Sequence, residues 1–475
     1  MGEMKPTATT GDRFDIDMKG VEKVDADRYA ILIRPANGSW SLVDTTHKDL
    51  IEALFNGMTY EDFEHKFPQS RELLKTLFLK GIVRINGNAY YKDNCYEHCK
   101  IWPEYPQLIV VKYIRGCNLR CSYCYDNYPE CKTTMSNDMV LHIVRRMIDT
   151  YGDNPYILAL HGGEPTLRFK DIVALSEGVK KISRKVFFSI QTNATLITKP
   201  MAEFFAQEKY AVGVSVDGFD EQTNGNRLQA DGKSSLHLTL KGLENLIAAG
   251  ISPGIISVVT PANQHHLLQH FDYYTKMGIK EFAFNPFFPA GRGQNLQYEM
   301  DIDTLVDTNI ELMKKINDAN IRIPNRADYV TERNVWGVVS NLTTMERDSS
   351  CGLYGCGAGK VLLAFDSDGS IYPCDDFISD KKLCLGNALT MKNFREATRK
   401  MQTDESLKYD IDLIEECSAC SWKRICTLHC ASNSYFFSGR FDTPHNMCSY
   451  MKKLIPKVID LLHCRRIDPK NFIPC

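Results

Sequence analysis

The chain has 475 residues, 43% of them hydrophobic, and a formal net charge of −2. That length predicts two or three domains, and the even charge gives no sign of a nucleic-acid-binding or membrane-binding surface. Residues 1–20 lack an apolar signal core, and no run approaches the roughly 18 apolar residues of a membrane helix, so a cytoplasmic protein is expected. Seventeen cysteines are many for a reducing compartment, where metal binding explains them better than disulfides.

In chain order, residues 1–25 read as a flexible tail and residues 26–92 as a small unit of their own. Tyr29–Ile33 and Trp40–Val43 flank the turn Pro35-Ala36-Asn37-Gly38 and predict a hairpin. Asp49–Asn56 has a helical pattern, and Thr59 precedes a second helix with a carboxylate at its start. Ser70–Lys80 is a third helix, ended by Gly81, and residues 82–88 close with another hairpin. Strands with three helices resemble a winged helix. A DNA-binding winged helix is one reading, although Ser70–Lys80 carries only three basic residues. Residues 93–107, with Cys95, Cys99, Pro103 and Pro106, read as a linker.

The run Leu108–Ile114 is a buried strand by pattern, and Cys117, Cys121 and Cys124 follow on the loop that leaves it, with Tyr125 directly after. In α/β enzymes the C-terminal ends of strands carry the chemistry. Closely spaced thiolates hold iron–sulfur clusters, and three on a four-iron cubane leave one iron without a protein ligand. A zinc knuckle is the plainer alternative, but structural zinc wants four ligands and the local count is three. From 108 to about 290, strands at 108–114, 156–160, 186–191, 211–216, 254–259 and 281–285 alternate with helices near 136–151, 170–182, 199–207, 235–249 and 265–277. Such alternation predicts an α/β fold with a parallel sheet, and six units predict a partial (β/α)6 TIM-type barrel. Polar motifs fall after the strand ends: His161-Gly162-Gly163-Glu164-Pro165, Gln191-Thr192-Asn193 and Ser215-Val216-Asp217-Gly218. Two distractors are set aside. His266 and His270 lie four apart without further ligands nearby and read as a solvated helix face. Gly355–Lys360 lacks the spacing of a phosphate loop.

Cys-x3-Cys-x2-Cys followed by an aromatic resembles the radical S-adenosylmethionine (SAM) superfamily. The resemblance implies a [4Fe–4S] cluster on Cys117, Cys121 and Cys124 that chelates SAM and cleaves it to a 5′-deoxyadenosyl radical. It also implies SAM contacts from Gly162, Gly163 and Glu164 at the amino group and from Arg227 at the carboxylate. Tyr123 matches an adenine-site residue, and Asn193 and Ser215 complete the implied cofactor set.

Residues 301–320 form an amphipathic helix that bridges, within 301–350, to a second cysteine module at 351–475. There Cys417, Cys420, Cys426, Cys430 and Cys448 follow Cys351, Cys356 and Cys374, and a hairpin around Asp366–Gly369 ends at Cys374. This resembles the SPASM extension of radical SAM enzymes, and Gly369 fits that pattern. The resemblance implies two auxiliary [4Fe–4S] clusters, on Cys351, Cys356, Cys374 and Cys430 and on Cys417, Cys420, Cys426 and Cys448. Cys351 is the variable member, and without it one iron is open to a substrate thiolate. Two zinc sites are the alternative. Asp375, directly after Cys374, matches the aspartate that accepts the substrate proton in sulfatase-maturating relatives, and a group steadying the cluster loop is the competing role. Cys131, Cys384, Cys464 and Cys475, like Cys95 and Cys99, have no assignable role.

Together the resemblances imply a maturase of ribosomally made peptides. Its N-terminal domain would take the precursor's leader as an added strand, and a flavodoxin or ferredoxin would supply electrons. The expected product is a thioether between a cysteine sulfur and a peptide carbon. Formylglycine formation on sulfatases and carbon–carbon crosslinking are the alternatives, as is a non-enzymatic iron–sulfur regulator.

Overall fold

A computed structural model describes residues 8–25, 29–90, 104–126, 133–344, 356–404 and 407–472. The chain forms two compact units. One comprises residues 1–101, 344–347 and 415–426, and the other comprises 102–343, 348–414 and 427–475.

In the first unit, strands β1 (Arg13–Ile16), β5 (Met58–Thr59), β6 (Val83–Ile85) and β7 (Asn88–Ala89) make a sheet in the order β5-β1-β6-β7. A second sheet orders β2 (Glu22–Asp25), β3 (Tyr29–Arg34) and β4 (Ser39–Asp44) antiparallel. Helices α1 (Lys48–Asn56), α2 (Tyr60–Lys66) and α3 (Arg71–Leu79) complete it. Both expected hairpins are present, with Ile33 opposite Trp40 and Ile85 opposite Asn88. The expected flexible tail is a correction. Its residues 13–16 form β1, in the interior of the sheet between β5 and β6. The physical reason is the two-residue alternation Arg-Phe-Asp-Ile, which turns Phe14 and Ile16 into the core at 1% and 2% exposure. Polar neighbours hide an alternation this short.

The second unit is built on one sheet in the order β14-β13-β12-β11-β10-β9-β8-β15-β16-β17. Its strands are β8 (Leu108–Ile114), β9 (Tyr156–Gly162), β10 (Val186–Thr192), β11 (Ala211–Ser215), β12 (Gly254–Val259), β13 (Glu281–Pro286), β14 (Thr331–Glu332), β15 (Leu362–Phe365), β16 (Ser370–Tyr372) and β17 (Gly386–Asn387). Every pair from β14 to β15 is parallel, and β16 and β17 add antiparallel strands at that end. The result is an α/β partial barrel whose ends, β14 and β17, do not pair with each other. Helices α4 (Asn137–Tyr151), α5 (Phe169–Ile182), α6 (Lys199–Gln207), α7 (Leu236–Ala248) and α8 (Leu267–Lys276) are the crossovers. On α4, Val140, Ile143, Val144 and Met147 are fully buried at helical spacing, each worth roughly 1.5–3 kcal/mol relative to exposure. Helix α9 (Ile302–Asn320) buries the stripe Leu305, Leu312, Met313 and Ile316.

The hairpin before Cys374 is part of this sheet. Leu362 lies opposite Leu108 and Ala364 opposite Val110, so β15 extends the parallel array beyond β8. β16 returns antiparallel, with Tyr372 opposite Ala364, so the segment after Tyr372 runs back alongside β15 and carries Asp375 to within 3.9 Å of Lys112 on β8. The solvated face expected for His266 and His270 is also corrected. His270 is 1% exposed, its ring hydrogen-bonds Ser257 Oγ at 3.2 Å, and burial lowers its pKa to about 3. No helix among the described residues is long and apolar enough to cross a membrane.

Candidate active site

The loop 115–126 leaves β8 and is held from three sides. Gly163 donates to Ile114 O at 2.7 Å and Glu164 to Gly116 O at 2.9 Å. This approach is why the pair after His161 is glycine. A Cβ on Gly162 would lie 2.1 Å from Ile114 O, and one on Gly163 would lie 2.1 Å from Gly116 O. On the second side, Arg120 and Ser122 donate backbone hydrogen bonds to Leu228 O and Asn226 O, at 2.7 and 3.0 Å. On the third, Arg292 N donates to Cys124 O at 2.8 Å and its guanidinium to Cys121 O at 2.6 Å.

These braces bring Cys117, Cys121 and Cys124 into one apolar cluster with Leu119, Tyr123 and Phe287. Burial pushes the Cys117 thiol up to about 12 and the Cys124 thiol up to about 11, and raises Cys121 as well. Thiols held protonated by burial, despite Arg227 and Arg292 near Cys121, suit a metal, which replaces the proton and supplies the charge. The amide of Leu119, at 3.3 Å, and Asn193 Nδ2, at 3.8 Å, point at Cys117 Sγ, as donors around a cluster sulfur do.

Glu164 is fully buried where β9 and β10 end. Its carboxylate accepts from Thr166 N and Oγ1, Thr192 Oγ1 and the Asn193 amide, at 3.0, 2.5, 2.7 and 2.7 Å. Burial raises its pKa against those donors. Asn193 also donates to Asn118 Oδ1 at 2.9 Å, so the strand-end loops are tied together. Arg227 donates to the Tyr123 hydroxyl at 2.8 Å, and that hydroxyl donates to the buried carboxylate of Asp217. Ser215 Oγ accepts from Gln191 Nε2 at 2.8 Å, and a Cβ on Gly213 would displace that glutamine. The polar residues expected at the cofactor thus surround the cysteine loop on adjacent strand ends, with Gln191, Asp217 and Arg292 added to them.

A second polar group stands beside the loop. Asp375 Oδ2 accepts from the Tyr125 hydroxyl at 2.9 Å and lies 3.3 Å from His161 Nδ1. Lys112, 1% exposed, donates to the same Tyr125 hydroxyl at 2.9 Å and lies 3.4 Å from Asp126 and 3.9 Å from Asp375. Burial by itself would raise the Asp375 carboxyl. The His161 hydrogen bond, the Lys112 charge and the Tyr125 hydroxyl outweigh it and hold Asp375 well below the usual carboxylate range. Asp376 is pushed up to about 6 by burial and by Asp375 beside it. Cys374 Sγ lies 3.5 Å from Asp375 Oδ1, Cys430 Sγ lies 3.0 Å from Ser432 Oγ, and that hydroxyl donates to Asp376 at 2.6 Å. Cys356 is half-buried, and desolvation raises its thiol against the nearby amides of Ala431 and Ala358. Cys356, Cys374 and Cys430 therefore converge on Asp375–Asp376, whereas Cys351, like Cys95, Cys99, Cys131 and Cys475, lies outside the described residues. In the first unit Cys420 N bonds Cys417 O at 3.1 Å and Cys426 N bonds Trp422 O at 2.8 Å; Cys448 begins the last long helix of the second unit.

Sequence reasoning passed over Lys112, Tyr125 and the role of His161. One signal was available: Lys112 is the lone charge in an otherwise apolar strand, and a buried lysine needs partners.

A three-cysteine loop after the first strand of a partial barrel, ringed by polar strand ends, is the architecture of a radical SAM enzyme. Residues 111–274 match the Radical SAM superfamily. The chain is 28% identical over 326 residues to the cysteine-type anaerobic sulfatase-maturating enzyme of Clostridium perfringens, covering 66% of this chain and 86% of that one. It is 23% identical to the serine-type enzyme of Klebsiella aerogenes, covering 67% of this chain and 78% of that one. Among solved structures, anSMEcpe with bound AdoMet and the Cp18Cys peptide superposes with a TM-score of 0.62 at 24% identity, covering 76% of this chain and 98% of that one. SuiB from Streptococcus suis, bound to its precursor peptide SuiA, superposes with a TM-score of 0.55 at 18% identity, covering 92% of this chain and 99% of that one. The protein is an enzyme that carries a radical SAM domain and is similar to the anaerobic sulfatase-maturating enzymes. That relation implies a [4Fe–4S] cluster and SAM, which the buried thiols and the ring of polar strand ends fit.

Proposed function

We propose that this enzyme matures a ribosomally made precursor peptide by joining a cysteine sulfur to a peptide carbon as a thioether. The observation that carries the reading is the compact unit ahead of the cysteine loop. The SuiB fold covers 92% of this chain against 76% for the sulfatase maturase, a difference that needs a counterpart for much of residues 1–107. In this reading the leader lies along an open edge of the sheet β2-β3-β4 and adds a strand to it.

Cys117, Cys121 and Cys124 would hold the cluster, which together with SAM would supply the radical chemistry that removes hydrogen from the peptide. Tyr123, Gly162, Gly163, Glu164, Asn193, Ser215 and Arg227 hold SAM. Cys351, Cys356, Cys374 and Cys430 hold one auxiliary cluster, and Cys417, Cys420, Cys426 and Cys448 hold the other, which makes residues 351–475 a SPASM module. The electron comes from a flavodoxin or ferredoxin. A thiol with a pKa near 8.5 needs a base at neutral pH. Asp375, held ionised beside the cysteine loop, is the carboxylate of that base.

Formylglycine formation is the second reading, favoured by the named relatives. The two separate by mass spectrometry on a peptide from a cysteine-rich reading frame beside the gene and on a sulfatase peptide. A thioether removes two hydrogens and leaves the joined cysteine inert to alkylation. Turnover of the sulfatase peptide alone refutes the thioether reading. Loss of two hydrogens with every cysteine still alkylated means a carbon–carbon bond.

A further inference from the structure

Strand register places a lysine and a histidine side by side in the barrel. Lys112 lies opposite His161 across β8 and β9, on the face that also carries Val110 and Ala159. His161 thus stands on the inward row above Lys112, at the C-terminal end of β9. Asp375 reaches the same point from the other direction, through the pairing of β15 with β8.

The contacts divide the labour between them. Both donors on Asp375 Oδ2, Tyr125 and His161, come from the barrel side, and Oδ1 faces Cys374 Sγ. The carboxylate side chain is 18% exposed. The imidazole is 26% exposed. The ring nitrogen that faces a carboxylate is the one that donates, which puts an N–H at Nδ1 and leaves Nε2 as the other ring nitrogen. No hydrogen bond joins Nε2 to any described residue. Nδ1 bound to a buried aspartate with Nε2 free is the arrangement by which an Asp–His pair removes a proton from a hydroxyl or thiol.

We propose that His161 Nε2 is the atom that receives the substrate's proton, with Asp375 acting through it. In the step the S–H bond of the peptide cysteine breaks, its electron pair stays on sulfur, and the proton bonds to Nε2. The resulting imidazolium faces the Asp375 carboxylate, 3.3 Å from Nδ1. Lys112 and Tyr125 are positioning residues: they hold the carboxylate against the ring from behind. The assignment rests on the thioether reading and adds the acceptor atom to it.

The test uses full-length reconstituted enzyme and the synthetic peptide of the reading frame beside the gene. The readout is product formed per 5′-deoxyadenosine released, so a general loss of SAM cleavage does not enter. His161→Ala should lower that ratio by about 10²-fold or more, and added imidazole should restore part of it. His161→Gln, which keeps the volume, should be as low and should not respond to imidazole. Asp375→Asn should also be low and unresponsive, because its ring is present but misoriented. A wild-type ratio in His161→Ala overturns the proposal, as does a loss that imidazole leaves untouched while His161→Gln is active. If wild-type enzyme makes no thioether from the peptide, the parent reading fails instead.

Discussion

At the level of single residues, charge and burial decide most of what can be tested. Asp375 is kept ionised in a dry setting by a ring, an ammonium and a phenol. Asp375→Asn keeps the shape and removes the charge, so crosslinks per 5′-deoxyadenosine should fall by about 10²-fold. Liquid chromatography of both products checks this, and an unchanged ratio would reduce Asp375 to a structural role. His270 gives a prediction for stability. Burial holds its folded pKa at about 3, below the ordinary imidazole value of 6.5. Between these values the unfolded chain binds a proton that the folded chain refuses, so stability is full above pH 6.5 and drops as the pH falls, by at most about 1.4 kcal/mol per unit. His270→Gln should flatten the decline of melting temperature between pH 6.5 and 5. Parallel declines in the two proteins would show that another group is responsible.

Among the elements, the strand-end loops matter as a set because each closes against another's backbone. Gly163 is a direct test. Its added Cβ would meet Gly116 O at 2.1 Å and Arg115 O at 2.8 Å, both main-chain atoms that cannot turn aside. Gly163→Ala should displace the loop that carries Cys117 and remove SAM cleavage, with the protein still folded by circular dichroism. Cleavage at the wild-type rate would mean that the loop tolerates the shift. Arg292 belongs to the same arrangement, since it bonds two carbonyls of the cysteine loop from beyond β13.

For the whole molecule, the proposed clusters and the N-terminal unit make separable predictions. Three cubanes hold roughly twelve irons, and replacing Cys117, Cys121 and Cys124 by Ala should remove about a third. Iron and zinc analysis of reconstituted enzyme checks this, and zinc in the C-terminal module would overturn the auxiliary clusters. Precursor without its leader should bind about tenfold or more weakly, by calorimetry. N-methylation of alternate leader amides should weaken binding in the same way, because strand addition rests on main-chain hydrogen bonds. Equal affinity with and without the leader would remove the recognition role from the N-terminal unit.

Much of this architecture is local in origin and was legible in the chain. Strands such as Leu108–Ile114 and Gly254–Val259 are apolar runs bounded by polar turns, and their limits in the structure match those read from the pattern. Cys117, Cys121 and Cys124 and the pair Gly162-Gly163 were equally plain, because spacing and residue type carry their meaning without knowledge of neighbours. What tertiary structure alone decided are relations between distant positions. Phe14 and Ile16 became core because β5 and β6 came to flank them. His270 was drawn inward by Ser257. Tyr125 and Asp375 are 250 residues apart, and only the pairing of β15 with β8 brings them to 2.9 Å. A carboxylate's partners, and hence its charge state, depend on such pairings, which no pattern along the chain encodes.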